Sequence, residues 1–97
     1  MACFASLAIA ATIAAAMYTE RVEVRGYWED DCDGDSFLIT ITKYSPNPDE
    51  AEITVSYIEQ QVACNYRSVK SFKIVSGSLA DDTQCYPVPV CKELLGW

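Results

Sequence analysis

Apolar and polar residues alternate along three stretches of the chain, and this period of two predicts β-strands. The apolar positions are Val22, Val24 and Trp28, then Phe37, Ile39 and Ile41, then Ile53, Val55 and Tyr57. Most of these residues are β-branched or aromatic, which suits a pleated surface that is half buried. Each stretch is therefore predicted to be a strand with one face in the core, and Trp28 is expected in the core with its in-phase valines.

Turn-forming residues separate these stretches. Asp33-Gly34 predicts a tight hairpin between the first two strands, and the prolines at 46 and 48 interrupt the chain before the third. Two more strands are predicted over residues 62–67 and 69–75, and the proline-valine segment that follows is at most an edge strand. The sequence thus predicts an all-β, mainly antiparallel fold, a small five- or six-stranded β-sandwich or barrel.

The first residues differ sharply from the rest. Residues 1–16 are uncharged and mostly apolar, and residues 14–16 are alanines suited to a cleavage site. This pattern predicts a helical apolar leader that acts as a signal peptide, although the usual basic start is missing. Residues 17–97 are then a single secreted domain. A membrane anchor and a retained helix are the alternatives, but sixteen helical residues rise only about 24 Å, short of the ~30 Å hydrocarbon core.

The four cysteines after the leader predict two disulfides. Cys32, Cys64, Cys85 and Cys91 lack zinc-like spacing, and the chain has no histidine. Two prolines between the last two cysteines favour an extended backbone, which holds those sulfurs too far apart to bond. Cys32 and Cys64 are therefore each expected to bond one late cysteine, in an order that the sequence leaves open. Residues 85–91, here named the strap, would be pinned across the sheet.

The chain carries a net charge of −7, which disfavours nucleic acid and anionic membranes as partners. Five carboxylates fall within residues 29–35, but the segment does not fit an EF-hand, because Thr40 stands where a bidentate glutamate is needed. With no histidine to act as a base, and with its cysteines in bridges, the chain is not expected to be an enzyme. We therefore predict no catalytic residue, metal or cofactor, and a looser calcium site at the tip of the hairpin is the alternative.

The acidic turn and its neighbouring aromatic residues are the candidate protein-binding site, because aromatic side chains supply much of the binding energy at interfaces. The candidates are Tyr27, Asp30, Asp31, Asp33 and Tyr86. Tyr27 is out of phase with the core valines and is expected on the surface. The sequence predicts a small secreted, non-catalytic binding protein, effector-like or toxin-like, with an extracellular protein partner. A secreted hydrolase inhibitor acting through the strap and a surface or structural component are alternatives, and the oligomeric state is open.

Overall fold

The computed structural model describes residues 17–95, which form one four-stranded antiparallel sheet with a helix packed on one face. The elements are β1 (Tyr18–Tyr27), β2 (Ser36–Ser45), α1 (Pro48–Ala51), α2 (Val55–Asn65), β3 (Ser71–Ile74), β4 (Asp81–Pro87) and a 3₁₀ turn (Lys92–Leu95). The strand order is β2-β1-β3-β4. The leader predicted over residues 1–16 lies outside the described residues. In the described part, neither helix has the length and apolar character needed to span a membrane.

The predicted antiparallel pairing of the first two strands is confirmed, but the predicted tight turn is wrong, because residues 28–35 form an eight-residue connection. β1 and β2 pair along their whole length, from Tyr18 opposite Ser45 to Tyr27 opposite Ser36. Gly34, in the connection, has a φ of 80°, which a residue without a Cβ adopts freely. Gly26 matters for packing, since a Cβ there would lie only 3.0 Å from the Ile39 side chain.

The two strands predicted between residues 53 and 67 are wrong, because most of this segment is the helix α2. Its N-terminus is capped by Thr54, whose side-chain oxygen accepts a hydrogen bond from the Tyr57 N–H at 3.1 Å. Ile58 and Val62, four residues apart, are both fully buried. The apolar residues follow a helical period, and the apparent alternation before Ile58 covers too few residues to separate the two periods.

The fold is therefore one open sheet, not a five- or six-stranded sandwich or barrel. Its apolar core lies between α2 and one face of the sheet. The buried members are Val22, Val24, Ile39, Ile41, Ile53, Ile58, Val62, Val69, Phe72 and Ile74. The mainly antiparallel, β-rich character is confirmed, and β4 at the edge of the sheet ends at Pro87, within the proline-valine segment.

Two disulfides join the irregular segments to this frame. Cys32 bonds Cys85 across a sequence separation of 53 residues, and Cys64 bonds Cys91 across 27. Each early cysteine therefore bonds one late cysteine, as the extended strap predicted, and the structure assigns the order. The strap is held at both ends, to the β1–β2 connection by Cys85 and to α2 by Cys91.

Candidate binding surface

The acidic loop (residues 28–35) folds back over one end of the sheet face opposite α2, at Ser71 and Cys85. The Cys32 N–H donates a hydrogen bond of 2.9 Å to the Ser71 hydroxyl oxygen, and the Ser71 hydroxyl donates to the carbonyl of Glu29. Ser71 is fully buried, so these two bonds satisfy a polar group that would otherwise be costly to bury. These two hydrogen bonds hold the backbone of the loop, and the disulfide from Cys32 to Cys85 holds one of its side chains.

Two aromatic residues before this loop are placed differently from the sequence prediction. Tyr27 points to the face that the loop covers, beside its cross-strand neighbour Ser71, and only 9% of it is exposed. Trp28 lies beyond the end of β1 and is 43% exposed, although its ring stacks on Phe37 at 5.0 Å between centroids. The predicted surface position of Tyr27 and the predicted core position of Trp28 are both wrong. The acidic loop covers Tyr27, whereas β1 ends before Trp28 and leaves it at the edge of the core.

The remaining candidate residues divide into two groups. Asp30, Asp31 and Asp33 are exposed together on the acidic loop. Tyr86 instead stacks on Phe72, with 5.2 Å between ring centroids, and is half buried against the core. The three aspartates are thus exposed on one loop, whereas Tyr27 is buried and Tyr86 is half buried.

An open groove of about 470 Å³ separates the acidic loop from the strap. Its lining combines Val88, Pro89, Val90 and Cys91 of the strap with Ala63, Val69, Asp30, Arg67 and Lys70. Asp30, Arg67 and Lys70 are exposed, whereas Ala63 and Val69 are buried. The groove therefore combines an apolar lining with charges of both signs, and its cations outnumber its carboxylate in a chain of net charge −7.

A smaller cavity of about 160 Å³ adjoins this groove, because both are lined by Arg67 and Val69. Its aromatic wall is formed by Trp28, Phe37 and Tyr66, with the Phe37 and Tyr66 centroids 5.9 Å apart. The groove and the cavity, here named together the groove face, unite an exposed Trp, Tyr and Arg. These residue types are enriched among the residues that dominate the energy of protein interfaces.

Sequence reasoning missed Tyr66 and Arg67 because it assigned them to a strand. A helical interpretation of the apolar positions Val55, Ile58 and Val62 would have ended the helix near Asn65. It would then have placed Tyr66 and Arg67 at an exposed helix end. The helical spacing of these apolar residues was therefore the signal in the sequence that could have identified the site.

The strap is held to α2 by more than its disulfide. The Gln60 side-chain amide donates to the Val90 carbonyl at 3.2 Å, and its oxygen accepts from the Lys92 N–H at 2.9 Å. One side chain thus bonds the backbone on both sides of Cys91. Val90 itself is 64% exposed, so the strap presents an apolar side chain from a backbone that is fixed on both sides.

Two other groups bear on the chemistry of the surface. Cys64, Cys91 and Glu93 bring potential ligand atoms within 4.8 Å of one another, but both sulfurs are in a disulfide and offer no thiolate to a metal. On β4, the pKa of Asp81 is lowered, chiefly because its carboxylate accepts a hydrogen bond from the Thr83 hydroxyl and then one from the Thr83 N–H. Asp81 is fully exposed, and the hydrogen bonds order the start of the strand.

No family model matches the chain, and no curated protein or solved structure shows significant similarity to it. Function must therefore be inferred from the chemistry of the surface itself.

Proposed function

We propose that the protein is a small secreted, non-catalytic binding protein that engages another protein outside the producing cell through its groove face. The observation that carries the proposal is the adjacency of the two concavities, which share Arg67 and together expose Trp28, Tyr66 and Val90. Rigid aromatic side chains lose little entropy on binding and bury a large area. Effector-like or toxin-like factors need a surface of this kind.

Two further features support the proposal. The two disulfides are compatible with an oxidising, extracellular environment. The absence of histidine from the sequence removes the most common general base, which favours binding over catalysis. In this proposal Asp30 lines the groove, and it orients the partner together with Asp31 and Asp33 of the same loop, while Tyr27 and Tyr86 support the fold beneath.

The test is a matched set of variants used to capture partners from the extracellular fluid of the source organism. A Tyr66→Ala, Arg67→Ala double variant removes two side chains of the groove face, and Tyr18→Ala removes an exposed ring that does not line it. A partner identified by mass spectrometry should bind the wild type and Tyr18→Ala alike. Its dissociation constant should rise at least about 30-fold for the double variant, which corresponds to the ~2 kcal/mol typical of a dominant interface residue.

The acidic loop is tested separately with Asp30→Asn and Asp31→Asn together, which keep the shape of both side chains. A smaller loss, confined to the association rate and reduced by added salt, is expected for charges at the rim of an interface. If the Tyr66→Ala, Arg67→Ala variant and the Asp30→Asn, Asp31→Asn variant both retain the partner with wild-type affinity, the groove face is not the binding site.

A second candidate function is inhibition of a hydrolase through the strap. The observation that favours it is the fixed backbone around Val90, held by the Cys64–Cys91 disulfide and by Gln60. A segment already ordered before binding loses less conformational entropy in the complex. Inhibition of one member of a protease and glycosidase panel, lost in Val90→Asp but kept in Tyr66→Ala, would favour this function over the first.

A further inference from the structure

The two edges of the sheet are protected very differently. β4, at one edge, begins with the exposed carboxylates Asp81 and Asp82, ends at Pro87, and shifts register against β3 between Phe72 and Ile74. Charges, prolines and bulges are the devices by which natural proteins prevent an edge strand from pairing with another chain. The β4 edge carries all three.

β2, at the other edge, has only one of these devices, a single charged side chain. It runs for ten residues with no proline, no acidic residue and an unbroken register against β1. Its one charged side chain, Lys43, turns towards the helix: the ammonium donates to the Glu52 carbonyl at 3.3 Å and lies 4.7 Å from the centroid of the Tyr57 ring. The residue that could guard this edge is therefore engaged elsewhere.

The hydrogen bonds of β1 show which backbone groups of β2 point outward. The Glu23 and Tyr27 carbonyls of β1 accept from the N–H groups of Val75 and Lys70, on the β3 side. Backbone groups of successive strand residues point to opposite sides, so the even-numbered residues of β1 bond β2 through its odd-numbered residues. The even-numbered residues of β2 then direct their N–H and C=O groups away from the sheet.

One of these outward groups is already bonded, which confirms the direction. The Thr42 carbonyl accepts from the Tyr57 hydroxyl at 3.5 Å, a long bond that an incoming strand can displace. Within residues 17–95, no loop or side chain bonds the outward backbone groups of Leu38 and Thr40. Leu38 and Tyr44 are also 52% and 65% exposed, so apolar surface accompanies the unpaired backbone.

We propose that two copies of this chain pair antiparallel through β2, extending the sheet across a two-fold axis to eight strands. A head-to-tail contact between β2 and β4 would generate a ring or an open filament, and the guarded β4 edge opposes it. Pairing of β2 with itself closes after two copies. Because β2 has no acidic residue, the contact sets no carboxylate of one strand against the other, despite a charge of −7 on each copy.

The test is the molar mass in solution of Thr40→Pro over a range of concentrations, by sedimentation equilibrium. Proline at position 40 removes only an outward N–H, and proline is tolerated in an edge strand on its solvent side. The variant should keep its disulfides and its near-UV circular dichroism while remaining monomeric, whereas the wild type and Thr40→Ser dimerise with rising concentration. In the wild-type dimer, the Leu38 and Thr40 amides should also exchange hydrogen more slowly than in the monomer.

A second pair of variants keeps the proposal testable if the proline variant fails to fold. Leu38→Glu places an acid on each β2 and should abolish the dimer, and Val75→Glu, a matched change at an exposed apolar site outside β2, should leave it intact. A wild type that stays monomeric up to millimolar concentration overturns the proposal. The β2 edge would then be available to pair with a strand of another protein. A dimer that survives both Thr40→Pro and Leu38→Glu overturns the proposal as well. Neither result bears on the groove face.

Discussion

The two faces of the sheet differ in what packs on them: α2 lies over one face, whereas the acidic loop covers only one end of the other. On one face, α2 buries Ile58 and Val62 completely against apolar side chains of the strands. On the other, the acidic loop lies over Tyr27 and Ser71, held by one disulfide and by the hydrogen bonds of a single hydroxyl. The helix is held by non-directional burial of apolar area, and the loop by a few directional links.

Because of this difference, the residues that stabilise the fold are largely distinct from those that position the acidic loop. Loss of one methyl-rich side chain under α2 affects the whole cooperative unit, because the core is close-packed. Loss of one link under the acidic loop frees a local segment and should leave the apolar core in place. Asp30, which lines the groove, lies on the locally held side, whereas Tyr66 and Arg67 follow directly from α2.

The largest effect is expected for Ile58→Ala, which leaves a cavity between α2 and the sheet. The free energy of unfolding should fall by about 2–5 kcal/mol, the range found for such truncations of buried side chains. Urea denaturation followed by circular dichroism measures it. The exposed neighbour Ser56 provides the control, since Ser56→Ala should change stability by less than about 0.5 kcal/mol. A loss below 1 kcal/mol for Ile58→Ala would show that α2 does not carry this face of the core.

An effect of about 2–4 kcal/mol is expected when Cys32 and Cys85 are both replaced by alanine, because the unfolded chain gains conformational freedom. The matched pair, Cys64 and Cys91, closes a sequence separation of 27 instead of 53, so its removal should cost about 0.6 kcal/mol less by the loop-length dependence.

Hydrogen exchange distinguishes the two double variants locally. Loss of the Cys32–Cys85 bond should accelerate hydrogen exchange in the acidic loop. Loss of the Cys64–Cys91 bond should accelerate it at the Lys92 amide, because the disulfide holds this amide near the Gln60 oxygen that accepts its hydrogen bond. If both variants show the same exchange pattern, the two bridges do not tether separate segments.

The smallest of these effects is expected for Ser71→Ala, at about 1–3 kcal/mol. The substitution leaves the Cys32 N–H and the Glu29 carbonyl without the hydroxyl that bonds both of them. Thermal unfolding measures the loss, and Ser68→Ala, at an exposed position, is the control. Cysteine in place of Ser71 should restore little, because a thiol is a weak donor and acceptor. Stability equal to wild type would mean that water replaces the hydroxyl.

The β1–β2 hairpin was predictable because its ten-residue strands repeat the alternation often enough to define a period. Val22, Val24, Ile39 and Ile41 are all buried as the pattern indicated. Residues 53–57 repeat it only three times, and a helix and a strand share those apolar positions over so short a stretch. The Thr54 cap was the local signal in favour of a helix.

The candidate site was less predictable, because it depends on contacts between distant residues. The exposed aspartates of the acidic loop follow directly from composition. The burial of Tyr27 depends instead on Ser71 and Cys85, which lie more than forty residues away and draw the loop over it. The groove depends on which cysteine bonds the strap to α2, and the sequence left that order open.

The direction of β1 has a consequence for how the domain can be displayed. β1 starts at Tyr18 and ends beside Trp28 of the groove face, and ten strand residues span about 30 Å. Anything joined to the chain ahead of Tyr18 is thus attached at the far end of this strand from the aromatic cavity. A sensor surface or fusion partner coupled there would leave the groove face pointing outward, towards an approaching molecule.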